Sequence, residues 1–224
     1  MDLLFTPAKL GTCELKNRIV RSATNGHLSD EKGQVTPLWA GTLIELAKNE
    51  VGLVITGHFC VDKMQRADAG QPVLDETTDE SLLRRACDGV HRYGGKLFFQ
   101  LSHSGIKGVE SVNGAPPKHP EDFTREELDR LVEQFAFAAK KCKESGADGV
   151  QVSGIDFNRR AGQKTPFYLD ALICEPDFAA KLKSGAQDGS KCLACNGCYT
   201  IYRKRFVRCV QHQDEIEQFK TIPW

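Results

Sequence analysis

Four cysteines, Cys192, Cys195, Cys198 and Cys209, follow the spacing C-x2-C-x2-C-x10-C in the last part of the chain. Thiolates at such spacing can hold zinc tetrahedrally, and the alternative is a cysteine-rich tail that carries no metal. Elsewhere the groups able to do chemistry stand at the ends of short apolar runs. Ala23, Thr24 and Asn25 follow Arg18-Ile-Val-Arg-Ser, Gly57 follows Val51-Gly-Leu-Val-Ile-Thr, Gln100 follows Lys96-Leu-Phe-Phe, and Ser153 and Asp156 follow Asp148-Gly-Val-Gln-Val. An amide offers a donor and an acceptor, a hydroxyl one weak donor, and a carboxylate a fixed negative charge. His103 comes three residues after Gln100 and reads as a structural histidine at a strand end.

The runs that carry these groups are short, rich in β-branched or aromatic residues, and bounded by glycine. That is the pattern of strands in a parallel sheet buried on both faces. Helical patterns lie between them. Pro37 to Lys48 places apolar residues at helical spacing, Thr78 to Arg92 does so again before Tyr93-Gly-Gly, and a third helix starts at Thr124. There Thr124 and Glu127 form a capping box, and Leu128, Leu131, Val132, Phe135, Ala138, Ala139 and Cys142 trace one apolar stripe that ends at Gly146. Strands alternating with helices predict right-handed βαβ units. Val109 to Asp122, with three prolines, reads as a loop after the third strand.

Thirty basic and thirty acidic residues cancel, which removes the electrostatic case for nucleic acid or an anionic membrane surface as partner. A small-molecule substrate is the simpler expectation. The first residues carry no basic and apolar leader, and no uninterrupted apolar stretch reaches about 18 residues. The protein is expected to be soluble and cytoplasmic. Cys13, Cys60, Cys87, Cys142 and Cys174 are scattered among core patterns and read as reduced thiols.

Asn17-Arg-Ile-Val-Arg-Ser-Ala-Thr-Asn-Gly and Gln100-Leu-Ser-His-Ser-Gly, with Leu4-Phe-Thr-Pro and Leu10-Gly, resemble the opening of the old yellow enzyme family of FMN-dependent NADH:flavin oxidoreductases. The resemblance covers about residues 3 to 154 and returns over about 168 to 209, near Ala171-Leu-Ile-Cys-Glu-Pro-Asp. It implies an α/β fold of TIM-barrel-derived βα repeats. A whole barrel takes about 250 residues, and this chain has 224, so an incomplete barrel is expected, with its middle removed. Residues 1–157 are expected to form about four N-terminal βα units, 158–166 a connector, and 167–224 a remnant of the eighth unit, with Phe167 to Ile173 as a strand and Asp177 to Lys183 as a short helix behind it, followed by the cysteine-rich tail.

The resemblance also implies chemistry. FMN would lie across the barrel mouth against Ala23, Thr24, Asn25, Gly57 and Gln100, with NADH or NADPH as reductant and an activated alkene or similar acceptor as substrate. At the fourth strand the family's paired imidazoles bind the substrate, and their places hold Ser153 and Asp156, with Phe157 and Asn158 where its tyrosine stands. A carboxylate there opposes the negative charge that builds up in hydride transfer. Ile106 replaces an expected arginine, and Asp170 stands where the family's phosphate-site arginine does. The cysteine spacing resembles the [4Fe–4S] segment of the 2,4-dienoyl-CoA reductase branch, one residue off in its second and last gaps.

Two function classes remain open. One is an FMN-dependent oxidoreductase. The other is a catalytically silent homologue acting as an oligomeric scaffold or metal-binding remnant, because an open half-barrel exposes strand edges that a second copy would cover. A homo-oligomer is expected on either reading.

Overall fold

The computed structural model describes residues 2–154, 175–188, 190–192 and 211. It opens with an antiparallel hairpin, β1 (Ala8–Leu10) and β2 (Cys13–Leu15), turning through Gly11 at a positive φ of 59°. There follow β3 (Val20–Arg21), α1 (Pro37–Lys48), β4 (Leu53–Ile55), β5 (Phe59–Cys60), α2 (Glu80–Arg92), β6 (Lys96–His103), α3 (Glu110–Asn113), α4 (Arg125–Glu144), β7 (Gly149–Gly154) and α5 (Phe178–Ser184). Among the described residues no helix is long and apolar enough to cross a membrane.

Strands β3 to β7 form one parallel sheet in which β3 pairs β4, β4 and β5 pair one side of β6, and β7 pairs the other. β4 and β5 lie along the same edge of β6, so they are two segments of the second barrel strand. The four expected strands are therefore present in chain order, with no closed barrel among the described residues.

Leu97, Phe99 and Leu101 of β6 are fully buried against the helix layer, and the alternate residues Phe98, Gln100 and Ser102 face the barrel interior. Trp39 of α1 packs on this layer, with ring centroids 5.7 Å from Phe59 and 6.1 Å from Phe99. α1 begins as its sequence dictates. Thr36 caps Trp39 N, and Pro37 stands where a missing N–H costs nothing. In α4 both arms of the capping box are made, Thr124 Oγ1 accepting from Glu127 N and Glu127 Oε2 from Thr124 N.

The apolar stripe of α4 is only half covered. Ala138 and Cys142 are fully buried, whereas Leu128 is 44% and Val132 68% exposed. On β7, Val152 is 67% exposed on the face where the next βα unit of a barrel would pack. The loop expected over Val109 to Asp122 contains one short turn of helix, α3, and a 3-10 turn, Pro120–Asp122. Here tertiary bonds override the proline-rich composition. Asn113, 5% exposed, donates through Nδ2 to Arg66 O at 2.9 Å and accepts from Arg66 N at 3.0 Å.

Asn17, one of the residues that carried the family resemblance, has a structural task. Its Oδ1 accepts from Ile19 N at 3.0 Å and its Nδ2 donates to Glu50 O at 2.7 Å, which ties the first barrel strand to the start of the second. The short helix expected behind Asp177 is α5, whose Phe178, Ala179 and Leu182 join the main core. Its Lys183 pairs with Glu50 beside the first two strands, the side on which an eighth unit meets the first. The strand expected over 167–173 and the connector at 158–166 lie outside the described residues.

Candidate functional site

The second barrel strand changes register at its middle. Ile55 pairs with Phe98 and Phe59 with Leu101, so Thr56, Gly57 and His58 stand opposite only Phe99 and Gln100. One extra residue in a strand is a β-bulge, a device that bends the strand and re-aims a side chain. Thr56 closes the ladder across it, its N donating to Phe98 O and its Oγ1 accepting from Gln100 N at 3.1 Å.

This bulge meets the end of the first strand. A Cβ on Gly57 would come within 2.6 Å of Thr24 O and 2.9 Å of Asn25 Cα, so the glycine is required by the approach of two backbones. Thr24, Asn25 and Gly57 are thus brought together at the carboxyl ends of adjacent strands, where barrel enzymes place their sites. Ala23 is half-buried beside them. Gln100 faces the interior one strand further on, and its Nε2 donates to Gln151 Oε1 at 2.8 Å, its in-register neighbour on β7. Ser153 pairs in register with Ser102 on the same face. Asp156, Phe157, Asn158 and Asp170 lie outside the described residues.

Asn25 is held by its neighbours. Its Oδ1 accepts from His27 N at 3.1 Å, and its Nδ2 donates to Asp68 Oδ2 at 3.0 Å, leaving the second N–H of the amide for another partner. Asp68 also lies 2.8 Å from His27 Nδ1 and accepts from Gly70 N at 2.8 Å. Burial pushes the Asp68 carboxyl up, but hydrogen bonding and charge from His27, with the backbone hydrogen bond from Gly70, outweigh it and hold the group below its ordinary value. His27 adopts φ 52°, a left-handed conformation that a side-chain-bearing residue keeps only where its surroundings enforce it.

His58 and Gln71 complete the cluster. Gln71 is fully buried, its Oε1 accepting from Ala67 N at 2.6 Å while its Nε2 lies 2.7 Å from His58 Nδ1. Burial lowers the His58 imidazole below its ordinary value, against the pull of Asp68, so the ring is neutral near pH 7. Sequence reasoning missed His27, His58, Asp68 and Gln71. The signal available for His58 is its place directly after the strand-end Gly57, and for Asp68 the turn Asp-Ala-Gly.

His103 fits its structural reading. Its Nδ1 accepts from Gly105 N at 3.1 Å, its ring meets Phe123 edge-on at 5.8 Å, and burial lowers its pKa. It lines a hollow of about 480 Å³ with Gln65, Pro117, Lys118, Phe123 and Leu131, under the loop after the third barrel strand.

Of the four tail cysteines only Cys192 is among the described residues, half-buried with its N–H on Ser190 Oγ at 3.0 Å. Cys195, Cys198 and Cys209 lie outside them. Among the described residues no three His, Cys, Asp or Glu are grouped to hold a metal. Burial pushes the thiols of Cys60, Cys87 and Cys142 up to about 12, so these three stay protonated and unreactive near pH 7.

Residues 3–156 match the family model of the NADH:flavin oxidoreductase / NADH oxidase family. A metal reductase from Desulforamulus reducens is 33% identical over 165 residues, 68% of this chain and 24% of that protein. An NADPH dehydrogenase from Listeria monocytogenes is 30% identical over 162 residues, 68% of this chain and 48% of that protein. The chain thus spans between 24% and 48% of the length of these two curated relatives. Among solved structures, an old yellow enzyme homologue from Zymomonas mobilis superimposes with a TM-score of 0.60 at 23% identity, over 66% of this chain and 47% of the other. A 2-naphthoyl-CoA reductase does so with a TM-score of 0.62 at 23% identity, over 67% and 27%. At these identities the structural likeness shows the fold, an incomplete version of the TIM-barrel enzymes.

Proposed function

Because the chain belongs to the NADH:flavin oxidoreductase / NADH oxidase family, we propose that it works as an FMN-dependent oxidoreductase, passing hydride from NADH or NADPH to an activated alkene or similar acceptor. FMN, when bound, supplies the two-electron carrier of hydride. The residues that would hold its ring are Asn25 and Gln100, with Ala23, Thr24 and Gly57 as the floor. The observation that carries this reading is the convergence at one mouth of side-chain amides that keep hydrogen-bonding capacity: Asn25 Nδ2 and Gln100 Nε2 each spend one N–H within the protein and each has two. A flavin pyrimidine edge needs donors and acceptors in that density. The donor set fits the ring.

A second reading rests on a different observation. Val132 and Val152 expose apolar surface along the open side of the sheet, so the chain is also proposed to self-associate there, in the cytoplasm, with catalysis lost in the extreme case. The tail cysteines are proposed to hold a [4Fe–4S] cluster or zinc on that account or either.

The absorption spectrum of the anaerobically purified protein tests the first reading. Flavin bands, or their appearance with an induced shift after FMN is added, support it. A protein that stays free of flavin under both conditions overturns it and leaves the scaffold reading.

A further inference from the structure

We infer that two copies of this chain close one eight-stranded barrel, with β7 of each copy laid parallel to β3 of the other. The inference rests on the self-association reading above and deepens it by naming the partner edge and the geometry of the contact.

Strand count and chain length set the need. The four barrel strands are half of the eight at which a parallel barrel closes around an interior just filled by side chains. Among the described residues neither β3 nor β7 has a strand on its outer side. The stretch between Gly154 and Glu175 is 20 residues long. A single βαβ unit takes about 30, so four more strands with their helices do not fit there.

The two edges of the sheet are complementary. At the β3 edge a helix is already seated. α5 buries Phe178, Ala179 and Leu182 in the core, and its Lys183 Nζ lies 3.0 Å from Glu50 Oε2, which also faces Lys16 Nζ at 3.8 Å just before the first strand. At the β7 edge the helix side is open. Val150 and Val152 pair in register with the helix-facing Phe99 and Leu101, yet they are 38% and 67% exposed. α4, packed on the same strand, leaves Val132 68% exposed. Setting a second copy's β3 beside β7 carries that copy's α5 to the open apolar face and uses both strand edges at once. A two-fold axis along the barrel makes both seams alike and gathers two sets of Asn25, Gly57 and Gln100 at one mouth, which is incomplete in a single chain. An axis across the sheet would instead set β7 against β7, antiparallel, leaving both β3 edges unpaired and sending the mouths to opposite ends.

Sedimentation velocity and amide hydrogen exchange on the parent chain, Val152→Asp and Val20→Asp test this. Val20 of β3 is 37% exposed, so each substitution places a charge at one edge while the effect is read at the other. The expected result is a dimeric parent and two monomeric variants that keep the far-ultraviolet circular dichroism of the parent. Relative to the parent dimer, exchange should quicken by about tenfold or more at Val20 and Arg21 in Val152→Asp, and over Gly149–Gly154 in Val20→Asp. Where one variant fails to fold the other still reports, because each reads the edge it leaves untouched. A dimeric parent with a folded variant that stays dimeric, or with the opposite edge exchanging as in the parent, overturns the inference and leaves the self-association reading in place on another surface. A monomeric parent overturns both.

Discussion

Gln100 Nε2 donates to Gln151 Oε1 at 2.8 Å, joining the third and fourth barrel strands through side chains on the interior face. The bond occupies one N–H of Gln100 and turns its carbonyl oxygen elsewhere, so the pair presents both a donor and an acceptor toward the mouth.

Gln100→Ala is accordingly expected to weaken FMN binding by about tenfold while leaving the urea midpoint of the apoprotein almost unchanged, since the bond is solvent-exposed. Fluorescence titration with FMN checks it. An unchanged dissociation constant would remove Gln100 from the cofactor contacts.

Gly57→Ala is a backbone experiment. The added methyl meets Thr24 O and Asn25 Cα, neither of which is the far end of a flexible side chain, so strands one and two must move apart. Destabilisation of about 1–3 kcal/mol is expected in denaturant unfolding. A variant as stable as the parent would show that the two strand ends are not in contact.

Thr124→Ala removes one arm of the α4 capping box and should cost about 1 kcal/mol, measured in the same way. Restoring Ser at this position should recover most of it.

Stability is expected to decline on mild acidification. Burial holds His58 and His103 below the ordinary imidazole value of 6.5, so between 6.5 and their folded-state values the unfolded chain binds protons that the folded chain does not. Their neutral burial therefore costs nothing above that window and destabilises progressively as pH falls through it. Asp68 and Asp148 act lower. Burial raises both, hydrogen bonds from His27 and Lys96 outweigh it, and the stability they confer is lost only below about pH 4. Urea midpoints at about pH 7.5 and about pH 5.5 should differ in the parent and converge when both histidines are replaced by glutamine. An equal difference in that double variant would place the titration in other groups.

Val152→Lys should convert an associated form to monomer in sedimentation velocity, because a charge on the open apolar face opposes burial of that face. A parent chain that is already monomeric would remove the self-association proposal.

Periodicity and capping made the helices legible. α1 was expected over Pro37 to Lys48 and forms there, and the Thr124 capping box is made in full. Strand positions were legible for the same reason, because glycine-bounded β-branched runs have few alternatives in a parallel sheet. The bulge was not legible. Val51-Gly-Leu-Val-Ile-Thr-Gly-His-Phe reads as one continuous run, and only the register against β6 shows that Thr56 to His58 contain an extra residue. For the same reason Asn25, Gly57 and Gln100 could be named as candidates from local motifs, whereas the Asp68 and Gln71 contacts span separations that no local pattern encodes. The stripe on α4 was read correctly as apolar, but periodicity says nothing about whether a partner surface exists for each of its rows.

The sheet grows in strict chain order, each new strand docking on the one before it, with β5 returning only as the continuation of β4. Every pairing among the described strands of the sheet thus closes a loop of a single βα unit, the least costly closure that a parallel sheet permits. Emerging from a ribosome, such a chain can lay down its core from the first residue forward, each unit serving as the template for the next. Among the described strands the latest to be laid down is β7, whose Val150 and Val152 offer exposed apolar surface as a template in their turn.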